Sequence, residues 1–215
     1  MNFRKVVSTA LLLTTFVVPF AASAQEDKSS TNAVYNMADG SEIPGSWSTV
    51  RAFENGVMAS LHTANLEPGS AYTIWWVIFN DPANCSNGVC NMDDIFVVDE
   101  NGVPVRDESL QRVLDFEALE RAQVSIQYAT GGYVYENGEA NFAASLGVGS
   151  VPGIIVGPGL VDPYESEVHL VVRTHGPKID ALFDDQILTF GGGCDPIDAP
   201  PCDDVQFTFH SPLAQ

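Results

Sequence analysis

Tyr72-Thr73-Ile74-Trp75-Trp76-Val77-Ile78-Phe79 runs eight residues without a charge, a glycine or a proline. Its length and its β-branched and aromatic content read as a strand. Apolar side chains fall on both alternating faces, so the strand is expected to be central and covered on both sides, by a partner sheet on one and by a loop or helix on the other. Neighbouring strand residues point opposite ways, which sends Trp75 and Trp76 into different layers.

Outward from this stretch the dominant period is two. Val57, Ala59 and Leu61 share one face while Ser60 and His62 share the other. Val205, Phe207 and Phe209 alternate with Gln206, Thr208 and His210 in a second half-buried strand. Asn137-Gly138, between Tyr133-Val134-Tyr135 and Ala140-Asn141-Phe142, suits a type I′ turn and predicts a hairpin. Helix is scarce: Leu110, Val113, Leu114 and Leu119 give partial helical spacing over 108–122, as one or two short helices. Residues 147–163 are too rich in Gly and Pro for an element and read as a long loop, with Ile154-Ile155-Val156 able to pack over a sheet edge. Together these predict a mainly β chain, an antiparallel Greek-key β-sandwich of immunoglobulin-like type with one or two short helices.

The amino terminus predicts export. Arg4 and Lys5 precede an apolar run from Val6 to Phe20, and Ala22-Ser23-Ala24 forms a small-residue cleavage site. The run is shorter than the roughly 20 residues of a spanning helix, so residues 1–24 read as a signal peptide of bacterial style. Residues 25–33 then read as a flexible leader and 34–215 as one domain, in the periplasm or outside the cell, with no membrane span. The chain carries 28 acidic against 9 basic residues, a formal charge of −19. Cleavage would remove Arg4 and Lys5 and no acid. Nucleic acid is excluded as a partner, because a polyanion is repelled and no basic stripe exists.

Cys85 and Cys90 enclose four residues, and Cys194 and Cys202 enclose seven. In an oxidising compartment an even count reads as disulfides. Of the three possible pairings the two local ones are favoured, and each would contribute about 2 kcal/mol through a short loop. A four-thiolate zinc site is the alternative, though only the first pair has the usual spacing.

Leu66-Glu67-Pro68-Gly69-Ser70-Ala71-Tyr72-Thr73 resembles the turn and tyrosine of fibronectin type III and related sandwiches. That resemblance implies a tyrosine corner, in which the hydroxyl bonds back to the upstream backbone. Over 56–210 the chain resembles a group of uncharacterised bacterial secreted proteins that share four segments. Here these are Leu66 to Cys85, Ala129 to Gly131, His169 to Pro177 and Phe190 to Cys194. Its layout also resembles chordin-type CHRD sandwich domains. These resemblances imply a fold and a compartment and no reaction.

The sequence contains neither G-x-S-x-G nor H-E-x-x-H, and no phosphate-cradling glycine motif. Gly191-Gly192-Gly193 reads as a tight turn beside Cys194. The reading is therefore a non-catalytic binding or surface module of unknown ligand, with a glycan or a cell-surface protein as the candidate partner. Trp47, one of Trp75 and Trp76, and Tyr133 with Tyr135 could form a stacking platform. The alternative is a metal-binding protein or metal-dependent enzyme. Its candidate ligands are His62, His169, His175 and His210, since imidazole suits zinc or copper. Alternation aligns Glu167, His169, Arg173 and His175 opposite Val168, Leu170 and Val172. At about 3.3 Å per residue, His169 and His175 lie ~20 Å apart and cannot share an ion. Asp93-Asp94 and Asp184-Asp185 could offer oxygens to calcium, without EF-hand spacing. No cofactor other than such a divalent metal is implied.

Overall fold

The computed structural model describes residues 28–195, 197 and 201–214. The expected signal peptide and residues 25–27 of the expected leader lie outside them. Eight strands form one antiparallel sheet: β1 (Lys28–Asn36), β2 (Glu42–Phe53), β3 (Gly56–Thr63), β4 (Ser70–Phe79), β5 (Val124–Tyr133), β6 (Ala140–Gly147), β7 (Glu167–Pro177) and β8 (Cys202–His210). The order is β5-β4-β7-β8-β1-β2-β3-β6. The expected pair of facing sheets is thus replaced by one continuous sheet, curled until its two ends approach. Inward residues of β1 to β4, β6 and β7 join in a single core cluster that includes Val34, Val50, Leu61, Trp76, Phe142 and Leu170, with Ala129 of β5 and Val205 of β8 packed against it. Such a nearly closed barrel leaves little open edge.

The central-strand reading of β4 holds. All ten of its residues are buried, with β5 on one flank and β7 on the other. Trp76 packs inside the barrel, while Trp75 joins a second apolar cluster outside it. The tyrosine corner is present: the Glu67 N–H donates to the Tyr72 hydroxyl at 2.8 Å. Burial pushes the Tyr72 pKa up, which keeps the hydroxyl protonated.

Four local expectations need correction. Residues 28–33 are no loose leader, since they pair with β2 from Lys28↔Ala52 to Ala33↔Trp47. The turn at Asn137-Gly138 does not make a hairpin. Only Gly138 has positive φ, and β5 pairs with β4 while β6 pairs with β3. The β3–β4 connection occupies the space between them, with the Leu66 N–H donating to the Gly138 carbonyl at 3.0 Å. Helix over 108–122 shrinks to α1 (Phe116–Arg121), capped by the Asp115 side chain on the Glu117 and Ala118 N–H groups. Upstream, Arg106↔Arg112 and Phe96↔Leu114 are paired as bridges, and Leu110 takes φ +64° in the turn between. Finally, β8 keeps its period of two over 206–210 with the polar side inward, and a register shift at Val205 packs that residue against the inner cluster too. Gln206, Thr208 and His210 are the buried side, and Phe209 is exposed.

The long loop does cover a sheet edge. The Ile155 N–H donates to the Ile126 carbonyl and the Ile126 N–H to the Val156 carbonyl, both at 2.9 Å. Val148 bridges Leu160 at the end of β6. The loop therefore fills part of the seam between β5 and β6. Gly157, at φ +94°, has no room for a side chain, because a Cβ would stand 2.1 Å from the Val124 carbonyl oxygen.

Candidate functional site

Strand alternation places Trp75 and Val77 of β4, Val171 of β7 and Phe207 and Phe209 of β8 outside the barrel. These side chains are apolar because the chain returns over them. The 80–123 excursion brings Ile95, Phe96, Leu114 and Leu119, and the β7–β8 connection brings Phe190. Trp75 meets Phe190 and Tyr128 edge-on, at ring distances of 5.1 and 5.8 Å. The excursion is pinned by the Cys85–Cys90 disulfide and by fully buried Asp94. One Asp94 oxygen accepts from the Ser86 N–H and from Arg121, and the other from the Asn91 N–H. Asp94 thus organises a loop, with three hydrogen bonds to its fully buried carboxylate. Asp184 and Asp185 lie in the first turn of α2 (Phe183–Leu188).

Between the outer barrel face and the excursion runs an apolar cleft. Its inner part, about 240 Å³, is lined by Trp75, Ile126, Leu114, Phe190 and their neighbours. A second part of about 470 Å³ opens past Phe207 and Phe209. Met37, Val77, Met92, Ile95 and Val171 line both, which makes the cleft continuous. At its polar end Asp204 holds two guanidinium groups, with Arg112 at 2.6 Å and Arg173 at 3.0 Å. Arg112 also stacks over Phe96 and Arg173 over Phe190, with 4.8 and 3.9 Å from guanidinium carbon to ring centre. The Arg173 Nε donates to the Phe190 carbonyl and its Nη2 to that of Ile197. Beyond Arg112 the cleft meets a wider polar mouth that includes Arg106, Asn36 and Asp203.

No protein-family model matches the chain, and no curated protein or solved structure matches it. The site must therefore be read from its own chemistry.

The four histidines do not converge, and each has its own partners. His62 lies on the outer face of β3 beside Asn141, at 3.0 Å, and the exposed Trp47 ring. His169 bonds Glu167 at 2.7 Å between the rings of Phe79 and Phe209. His210 points into the barrel, with Ser30 at its Nδ1 (2.5 Å) and Ser48 at its Nε2 (2.6 Å). Burial, with repulsion from His169 added, pushes its pKa down to about 4. His175 sits outside the barrel, yet it is 1 % exposed because the β7–β8 connection covers it. Burial pushes its pKa down as well. The stripe of Glu167, His169, Arg173 and His175 is thus on the expected side of β7, and its upper half is dry. Among the described residues the one group with metal-ligating atoms close together is His175, Cys194 and Cys202. Its two cysteines are joined in a disulfide, so the local pairings hold for all four cysteines.

Of the expected aromatic platform, Trp75 and Trp76 are buried. Trp47 stands with His62, and Tyr133 meets Tyr135 edge-on at 5.1 Å near Phe183 and Lys178. These aromatics form two separate surface spots. Sequence reasoning missed the cleft and its Arg112–Asp204–Arg173 cluster. The available signal was β4 itself, whose apolar outer face demanded a cover.

Proposed function

We propose that the chain is an exported, non-catalytic binding module whose ligand is a small amphipathic molecule seated in the cleft outside the barrel. The observation that carries this reading is the continuity of the apolar cleft with the Arg112–Asp204–Arg173 cluster at one end. Ligand sites are mostly apolar concavities with a few convergent polar groups that fix orientation. Here an apolar body fits along Trp75, Val77, Ile95 and Val171, and a polar head reaches Arg112 at the mouth. Buried guanidinium groups that stack on rings and share one carboxylate are rigid donors, so they order the head group at little entropic cost. The amino-terminal signal and the resemblance to secreted bacterial proteins support export. A surface role for Tyr133 and Tyr135 with a glycan is a separate reading, favoured by the 72 % exposure of Tyr135.

The test is titration of the purified protein with 1-anilinonaphthalene-8-sulfonate, an apolar body with an anionic head, followed by displacement with dodecanoate. The expected result is one saturable site, lost in Val171→Trp, which fills the cleft from a position lining both parts. Absence of saturable binding, or equal binding by the variant, overturns the reading.

A further inference from the structure

His175 and Cys202 are directly opposite each other on β7 and β8. The sheet therefore fixes their separation whether or not Cys202 is in a disulfide, since the side chains of such a pair start only about 5 Å apart. Cys194 arrives from the loop that follows α2. Its sulfur lies 3.4 Å from His175 Nδ1, and the ligand atoms of His175, Cys194 and Cys202 all fall within 4.8 Å of one another. Glycine brings the loop this close. A Cβ on Gly192 would stand 1.9 Å from the Asp185 carbonyl oxygen, and Gly193 has φ +72°. The Gly192 carbonyl is thereby held 2.8 Å from His175 Nδ1.

The second nitrogen of His175 has a prepared partner. The indole N–H of Trp75 donates to Thr73 Oγ1 at 2.8 Å, and the same hydroxyl lies 2.8 Å from His175 Nε2. An indole N–H can only donate. Thr73 therefore donates to Nε2 in the present state, and Nδ1 carries the proton bonded to Gly192. If Nδ1 becomes a ligand, the proton moves to Nε2 and Thr73 accepts it with its second lone pair. A hydrogen-bonded second nitrogen is the usual support for a metal-binding histidine.

We propose that His175, Cys194 and Cys202 form a redox-gated site for monovalent copper, closed in the disulfide form and opened by a dithiol reductant. A thiolate of the dithiol attacks the sulfur of Cys194, which is partly exposed, whereas Cys202 is fully buried. The Cys194–Cys202 bond breaks, and Cys202 leaves as the thiolate with the electron pair. The reductant's second thiolate then attacks its own mixed-disulfide sulfur, frees the Cys194 thiolate and leaves the reductant as a disulfide. The protein has gained two electrons, and a Cu⁺ ion takes both thiolates and the imidazole, with the thiol protons passing to solvent. At roughly 2.3 Å per metal–sulfur bond the two sulfurs need to stand ~4 Å apart, so they turn away from bonding distance on reduction, while the Cys194 sulfur already stands 3.4 Å from His175 Nδ1. Two soft thiolates and one imidazole in a three-coordinate site select Cu⁺ over Zn²⁺, which takes four ligands. Arg173, next along the same face of β7, favours the anionic form of the site.

The experiment reduces the protein anaerobically with dithiothreitol, removes the reductant and titrates Cu⁺ in competition with bicinchoninate. Cys85→Ala/Cys90→Ala removes the other thiol pair. X-ray absorption on the copper-loaded wild type counts sulfur and nitrogen neighbours independently of that variant. Expected are one Cu⁺ per reduced chain with two sulfurs and one nitrogen, and none per oxidised chain. His175→Gln should weaken binding by at least about tenfold while leaving both thiols in place. Sulfur-only coordination, equal affinity in His175→Gln, no uptake after reduction, or loss of the β-sheet circular dichroism on reduction each overturns the proposal. None of these outcomes bears on the cleft, which anilinonaphthalene binding reads separately.

Discussion

β7 and β8 are neighbours in one sheet, yet their inward faces have opposite character. β7 sends Val168, Leu170 and Val172 into the barrel, and β8 sends Gln206, Thr208 and His210. The polar face is tolerated because its groups are satisfied across the barrel by groups of β2 and β3 and the chain just after β3. Ser48 reaches both Thr208 (2.9 Å) and His210, Thr63 reaches Gln206 (2.5 Å), and Gln206 donates to the Ala64 carbonyl (2.8 Å). The apolar partners on β8 are displaced outward, where Phe207 and Phe209 stack beside Tyr35 at 5.6 and 5.9 Å and line the cleft. A buried polar group costs little once its hydrogen bonds are made. Alternation therefore fixes which residues share a face and leaves open which face is dry.

The strongest way to break the contrast is on the outer side of this same strand pair. Asp204→Ala leaves the guanidiniums of Arg112 and Arg173 without their shared carboxylate, with Arg173 fully buried. Removing one partner of a buried ion pair costs about 3–5 kcal/mol, which urea unfolding would read. A loss below about 1 kcal/mol would make the outer layer an appendage rather than a second core.

The polar inward face of β8 predicts a pH dependence of about 3 kcal/mol. His210 titrates near 6.5 when unfolded and at about 4 when folded. Between these values the unfolded chain binds a proton that the folded chain refuses. Stability is therefore full above pH 6.5, falls as the pH drops and has lost this contribution by about pH 4. His210→Gln should flatten most of that slope in denaturant melts at stepped pH. A smaller slope of the same sign should remain from His175, whose pKa is also lowered.

Two smaller effects sharpen the comparison of inner and outer layers. Cys85→Ala/Cys90→Ala opens a five-residue link in the excursion and should cost about 2 kcal/mol. Hydrogen exchange should report the loosening in 82–96 while the β4 amides stay protected. Tyr72→Phe deletes the bond to Glu67 and should cost about 1 kcal/mol, read as a lower thermal midpoint with an unchanged circular dichroism spectrum.

Much of the fold was legible because short-range sterics decide it. The two-residue period, the double-faced β4, the opposed Trp75 and Trp76, and a loop able to pack over a sheet edge follow from local pattern, and the resemblance to fibronectin type III implied the tyrosine corner. Candidate-site residues were legible singly and not as a set. Alternation alone puts His169 on the same face as Glu167, its partner in the fold, whereas burial of His175 and His210 depends on chain segments far away in sequence. Arg112 lay inside a helix-like pattern that pairing with Arg106 overrode, because the neighbouring Val113 N–H donates to the Val105 carbonyl and the Val113 carbonyl accepts from the Val97 N–H.

By itself the sequence determined a strongly acidic, mainly antiparallel β chain, with two cysteine pairs close enough in sequence to join locally. Tertiary structure decided that the strands curl into one nearly closed sheet, that the Asn137-Gly138 turn joins its two ends, and that β8 buries its polar side. It also brought His175, Cys194 and Cys202 together and set Asp204 between two arginines. The physical reason is the range of the forces concerned. Side-chain alternation and turn sterics act within a few residues. Closure, burial and the pairing of charges depend on which distant segments come to lie across a strand, and no local pattern carries that information.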